Sequence, residues 1–152
     1  MTMCSDLCIR ATEFAYSFRD SLPTTEDTQQ FQALAEEGSH LRSSLLSWEH
    51  SASTWTTHSA EDEQMTIAWT FYAATSIYLS GAFDCNPIWE TQHIATPILP
   101  RLIIERHIAS ILHLTESVCK HTNLTGLVFL FPLRVAGAQA RTTADRRRIT
   151  EL

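Results

Sequence analysis

Glycine and proline are scarce, four and five respectively in 152 residues. A fold of many short strands needs turn residues about every 8–12 positions, so this scarcity, together with long apolar stretches, favours helices. A glycine-rich phosphate loop is absent. Gly81 and Gly126 stand isolated, and Ser80 precedes Gly81 outside any Gly-x-Ser-x-Gly frame, which removes the nucleophile elbow. Seven histidines make no His-x-x-x-His pair: His107 and His113 are six apart and point differently on a helix. His113 and Glu116 are three apart and supply two ligands, short of the three or four a zinc ion needs. No metal, cofactor or catalytic residue is therefore expected.

Cysteine is also sparse, with Cys4, Cys8, Cys85 and Cys119 the whole set. Asp6, Arg10 and Glu13 interrupt the first residues before any apolar run forms, so no signal peptide or membrane span is expected. Free thiols in a reducing compartment follow, and the Asn123-Leu124-Thr125 triplet is then no glycosylation site. Cys85 and Cys119 sit in apolar surroundings and are expected in the core. Cys4 and Cys8 are four apart, on one face if helical, a pair suited to redox chemistry or metal binding but with no other cysteine or histidine up to residue 39 to support it.

What is present is an ordinary globular balance, 44% apolar and 18% charged, in a length sufficient for one domain with a real core. The charge is uneven. Residues 1–100 carry three Lys/Arg against thirteen Asp/Glu, and residues 101–152 carry eight against four. An acidic front half is a poor partner for nucleic acid. Arg141, Arg146, Arg147 and Arg148 are the places where an anion would be met, and a solvated helix face is their ordinary reading.

Spacings of three and four mark a first helix over 5–20 through Leu7, Ala11, Phe14, Ala15 and Phe18, ended by Leu22-Pro23. A second is expected over 27–48 through Phe31, Leu34, Ala35, Leu41, Leu45 and Leu46, with Gly38 a point of possible breakage. Residues 49–60, rich in Ser and Thr, read as a loop anchored by Trp55. Ser59 is then a good N-cap, with Glu61, Asp62 and Glu63 complementing the helix dipole. The third helix, to about Phe83, is apolar around nearly its whole circumference, which marks a central element; its polar members Thr70, Thr75, Ser76 and Ser80 are small enough for helix contacts. Asp84-Cys85-Asn86-Pro87 stops it, and a linker with Trp89 follows.

Thr96 and Pro97 suit an N-cap and first helical residue, predicting a fourth helix over 97–121 with a stripe of Ile104, Ile108, Ile111 and Val118 and an outer Glu116–Lys120 pair. In the fifth segment, periodicity groups Leu127, Leu130, Phe131, Arg134, Val135 and Ala138. Pro132 predicts a kink near 128–132, unless it lies in a first turn preceded by an apolar strand. Ala136, Gly137 and Ala138 allow another helix to come close, and a sixth helix starts at Thr143 or Ala144. Arg134, on an apolar helix, must reach solvent or find a partner; Asp84, or the carbonyls ending the third helix, are the candidates. Pro132, Arg134, Gly137 and Asp84 are thus the residues expected to carry a structural motif.

Three segments together, WTFYAATSIYLSGAFD (Trp69–Asp84), ERHIASIL (Glu105–Leu112) and TNLTGLVFLFPLRVAGAQA (Thr122–Ala140), resemble the C-terminal regulatory region of fungal transcription factors of the zinc binuclear cluster class. In that family a phrase similar to YLSGxFD, a helix with a central histidine, a phrase like LFPLRVAGARA and an R-x-x-I helix follow in order; here the last begins at Arg146. The resemblance spans about residues 60–152. The family's DNA-binding module holds two zinc ions with six cysteines, and four cysteines at these spacings do not fill it. No zinc or DNA-binding residue carries over.

The resemblance implies an all-α regulatory domain over 1–152, an array of about five to six antiparallel helices cut from a larger helical domain. It implies a nuclear protein in transcription by RNA polymerase II, not an enzyme, with protein partners or self-association and an unidentified effector. The alternative is a small helical ligand-binding protein or enzyme with an interhelical pocket lined by Trp69, Tyr72, Tyr78 and His107. A third reading is a fragment that folds poorly alone. The expected outcome for nucleic acid is that this chain forms no specific complex with duplex DNA at low salt in a gel-shift titration, where electrostatic binding is at its strongest.

Overall fold

A computed structural model of the chain describes residues 2–18, 23–55, 63–121 and 126–152. Leu22, the expected cap at Ser59 with Glu61 and Asp62, and the Asn123–Thr125 triplet lie outside the described residues. The protein is all-α: every element among the described residues is helical. In order they are α1 (Thr2–Tyr16), α2 (Thr25–Thr54), α3 (Glu63–Asp84), the single turn α4 (Ile88–Thr91), α5 (Arg101–His121), a 3-10 turn (Gly126–Phe129), α6 (Leu130–Gln139) and α7 (Thr143–Glu151). They fall into two compact units, Met1–Trp48 with Tyr78–Ile98 and Glu49–Ile77 with Leu99–Leu152. No described helix is long and apolar enough to cross a membrane.

The first unit closes on an aromatic core. Leu7, Ala11 and Ala15 of α1 and Phe31, Leu34 and Ala35 of α2 are buried with Leu79, Ala82 and Phe83 of α3. Trp89 lies at its centre, its ring edge-on to Phe31 (4.9 Å) and tilted against Phe83 (4.7 Å). Such pairs add about 0.5–1.5 kcal/mol beyond area burial. The indole N–H finds no acceptor among the described residues, a cost of about 1–3 kcal/mol that this packing offsets. Trp89 thus anchors a one-turn helix where a linker was expected. Asn86 makes the turn before it: its amide donates to the Ala15 carbonyl (3.1 Å), and its side-chain oxygen accepts from the Ile88 N–H (3.0 Å).

Helix α2 runs unbroken through Gly38. Glycine is needed there for closeness rather than flexibility, since a Cβ would lie 2.9 Å from both Phe83 Cζ and Pro97 Cγ. Its start is a reciprocal cap: Thr24 donates through N and Oγ1 to Asp27 Oδ2, both at 2.7 Å, and Asp27 N returns a longer bond to Thr24 Oγ1. These bonds hold the Asp27 carboxyl below the usual carboxylate range. The expected loop begins too early, because residues 49–54 continue the helix, and Trp55 is exposed rather than an anchor.

The second unit is built on α5. Ile104, Ile108, Ile111 and Val118 are buried as the stripe predicts, with Ala73, Ala74 and Ile77 of α3 in the same cluster. The helix starts at Arg101, not Pro97: Pro100 supplies the first carbonyl, accepting from Ile103 and Ile104, because two prolines within four residues keep the lead-in extended. Cys85 and Cys119 are exposed, against expectation, while Cys4 and Cys8 are buried. Cys85 follows the last residue of α3 and Cys119 falls beside Lys120 on the wet side of α5, so local apolar sequence misjudged both.

The two glycines separate close approach from mere tolerance. At Gly137 a Cβ would meet only Ile149, at 3.7 Å, an ordinary contact. Gly137→Ala is therefore expected to stabilise the protein by about 0.5–1 kcal/mol through helix propensity. Gly38→Ala, with the same propensity gain but a clash against fully buried rings, is expected to destabilise it by about 1–2 kcal/mol. Urea midpoints of the two variants measure both signs.

Candidate functional site

The segment Phe129–Ala140 joins a proline, an arginine and a glycine inside apolar sequence, and it supplies the core of the second unit. Phe129, Pro132, Leu133, Ala136 and Ala140 are buried. Pro132 is the third residue of α6, within the first turn, where its missing N–H costs nothing. The kink expected at 128–132 is accordingly absent. The alternative placement of the proline is the one observed, with a 3-10 turn in place of a strand before it.

The residues that periodicity groups lie mostly on the outer face. Leu127 is 71% exposed and Leu130 53% exposed, and Arg134 and Ala138 are exposed too. Residues of the opposite phase, 129, 132, 133, 136 and 140, point inward. A helix apolar on nearly every side carries no amphipathic signal to set its phase. The single charge sets it, because a guanidinium buried without an acceptor is far costlier than a leucine left in water. Phe131, at the boundary, stacks on Phe71 of α3 with centroids 6.1 Å apart.

Arg134 has no hydrogen bond or ion pair among the described residues, and Asp84, the exposed last residue of α3, has none either. The arginines that do bond backbone carbonyls are others. Arg101 Nη2 donates to the Gln139 carbonyl (2.9 Å), and Arg146 Nε donates to the Ala140 carbonyl (3.0 Å). Two cations thus complete the C-terminal end of α6, where unpaired carbonyls and the negative end of the dipole need them. Arg148 pairs with Glu116 of α5 at 2.7 Å, so Glu116 is turned from its expected partner Lys120 to a tail arginine. Arg147 pairs with Glu151. Of the four tail arginines, three are engaged within the protein.

Helix α7 is set by a second Thr–Asp cap. Thr142 Oγ1 accepts from Asp145 N (3.0 Å) and donates to Asp145 Oδ2 (2.6 Å). Ile149 then lies over Gly137 with room left for a Cβ at ordinary van der Waals distance. Thr142 and Asp145 were legible as a Thr-x-x-Asp start, but the Arg101–Gln139 bond joins residues 38 apart and has no local signal.

Trp69, Tyr72 and His107, candidates for a pocket lining, are spent on one another. Trp69 and His107 each meet Tyr72 edge-to-face at 5.6 Å; Tyr78 belongs to the first unit. Among the described residues no three His, Cys, Asp or Glu side chains converge in a way that would hold a metal ion.

The family model described as fungal specific transcription factor domain matches residues 2–152, extending the likeness well before residue 60. No curated protein and no solved structure matches the chain.

The carbonyl caps give a discriminating test. Arg101→Met and Arg146→Met are each expected to lower stability by about 1–2 kcal/mol, since both remove a charge-assisted bond and keep the apolar stem. Arg134→Met is expected to change it by less than about 0.5 kcal/mol. Thermal and denaturant unfolding of the three single variants measure the contrast.

Proposed function

The chain belongs to the fungal-specific transcription factor domain family, and on that premise we propose that it acts as a nuclear regulatory domain in transcription by RNA polymerase II, its DNA reader supplied from outside residues 2–152. The role in transcription regulation comes with the family. Its execution here is by protein contact rather than by catalysis or direct DNA reading. The match over nearly every residue carries this reading, and two physical features support it.

The first is charge. Thirteen acidic residues against three basic ones over residues 1–100 repel a phosphate backbone, and most tail arginines hold the fold together. The second is exposed apolar surface. Leu127 and Leu130 stand on one face of the 3-10 turn and α6, followed on the same face by Arg134, and Leu102 of α5 is 69% exposed. Large aliphatic side chains left in water beside an unengaged arginine are what a protein partner, or a second copy, would cover.

A fusion of the chain to an unrelated DNA-binding module tests the proposal in a fungal reporter strain. The fusion is expected to be nuclear and to change reporter transcription several-fold relative to the module alone. Leu127→Glu/Leu130→Glu is expected to abolish that change with the helical circular dichroism intact. A folded, nuclear fusion that leaves the reporter at the module's own level rules the reading out.

A further inference from the structure

Within the first unit, the side chains of Cys4 and Cys8 meet on one face of α1 with their sulfurs 4.0 Å apart. Both are buried, Cys4 at 8% and Cys8 at 2% exposure, against the Leu7, Ala11 and Phe31 core. Two thiols in contact invite a disulfide, but the helix forbids one. Positions four apart on a helix hold their Cβ atoms about 5–6 Å apart, whereas a disulfide draws them to about 3.5–4.5 Å. Forming it would unwind the first turns of α1, which the surrounding core opposes.

An ion placed between the sulfurs has the opposite requirement, since it lengthens the bridge by a second bond. With metal–sulfur bonds of about 2.3 Å, sulfurs 4.0 Å apart subtend roughly 120° at the ion, the angle of trigonal coordination. We propose that Cys4 and Cys8 form a two-thiolate site for a soft monovalent cation, Cu(I), with the third position left to a small thiol from solution. Soft thiolate ligands favour Cu(I), zinc and iron–sulfur clusters. Zinc is disfavoured because it asks for four protein ligands in a structural site, and no third His, Cys, Asp or Glu converges there among the described residues.

The surroundings fit a pair of thiolates. Cys4 is the third residue of α1, where the helix dipole presents its positive end to a sulfur anion. The hydrogen bond from the neighbouring thiol holds Cys4 below the usual thiol range against the effect of burial, and the charge of Arg42 adds to it. The same bond and burial push Cys8 up. Two thiol protons of the chain pass to solvent as two sulfur–metal bonds form, the small thiol gives up its own proton as its sulfur takes the third position, and no oxidation state changes. Approach is from the Cys4 side, where Met3 and Ser5 are exposed.

The test uses the full chain as Cys85→Ser/Cys119→Ser, which removes the two exposed thiols and leaves the core untouched. Cu(I) is supplied without oxygen, buffered by bicinchoninate, with glutathione present as the small thiol. The expected result is one ion per chain, an X-ray absorption spectrum with a sulfur-only shell, and a raised unfolding temperature, since an ion bound to the folded state alone stabilises it. Adding Cys8→Ala, a substitution small enough for the core, is expected to weaken binding by at least ~100-fold, the scale of losing an intramolecular second ligand. Failure of the Cys85→Ser/Cys119→Ser chain to take up the ion overturns the proposal. So does equal uptake after Cys4→Ala/Cys8→Ala, or rapid conversion of the folded pair to a disulfide by glutathione disulfide.

Discussion

Helix α3 is apolar around most of its circumference, and the helices packed on it within each unit answer that constraint. Between Thr70 and Phe83, ten of fourteen residues are buried, and the four that are only half-buried, Phe71, Thr75, Tyr78 and Gly81, share one side of the helix. Leu79, Ala82 and Phe83 enter the core of the first unit; Ala73, Ala74 and Ile77 enter that of the second. Its polar residues are compatible with this only because they are small and can turn inward on the helix itself, as Thr70 does by donating to the Thr66 carbonyl at 2.8 Å. A longer polar side chain at these positions would be buried with nowhere to send its bonds. The scarcity of charge in the chain is the compositional trace of this one helix and of the apolar stretch that supplies α6.

The scarce charges that remain are placed with economy. A short, apolar α6 leaves its last carbonyls close to the core, and Arg101 and Arg146 meet them from the start of α5 and of α7. The same arginines hold the two flanking helices in place, so capping and tertiary register are one interaction. This also settles what the basic tail is for. Its excess positive charge looks like an anion site in one dimension, yet in three dimensions it is divided between a helix terminus, Glu116 and Glu151. Arg134 and Arg141 are left facing outward, beside the exposed leucines of the 3-10 turn and α6.

Helix identity was legible in the sequence wherever periodicity or a stop signal was strong. The α5 stripe, the end of α3 at Asp84 and the start of α7 at Thr143 are of this kind. Three failures have separate physical causes. Gly38 was weighed by propensity, but a long-range approach of Phe83 and Pro97 decides its role. Thr96-Pro97 has the composition of a helix start, but Pro100 follows too soon for the helix to begin there. The buried face of α6 was not set by the sequence because periodicity gives no phase when both sides are apolar, and the informative residue was the single arginine, whose two readings, solvent or a partner, resolve to solvent. Of the residues that organise the candidate site, Arg146 and Arg148 were visible as a basic tail and the start of an R-x-x-I phrase, and Arg101 carried no signal. Their partners are set by tertiary contacts that no local window contains.

The outward placement of Arg134 bears on how such a domain can work. Had it been buried in a pair, the FPLRVAG segment would be purely architectural, and its apolar residues would all be explained by the core. With Arg134 in water, Leu127 and Leu130 on the same face remain unexplained by folding, since each leaves more than half its surface exposed. A fully exposed leucine forgoes about 1.5–3 kcal/mol of burial. On the regulatory role we propose, contacts with a protein partner would account for keeping them. On that proposal, function sits on the outward face that carries Leu127, Leu130 and Arg134.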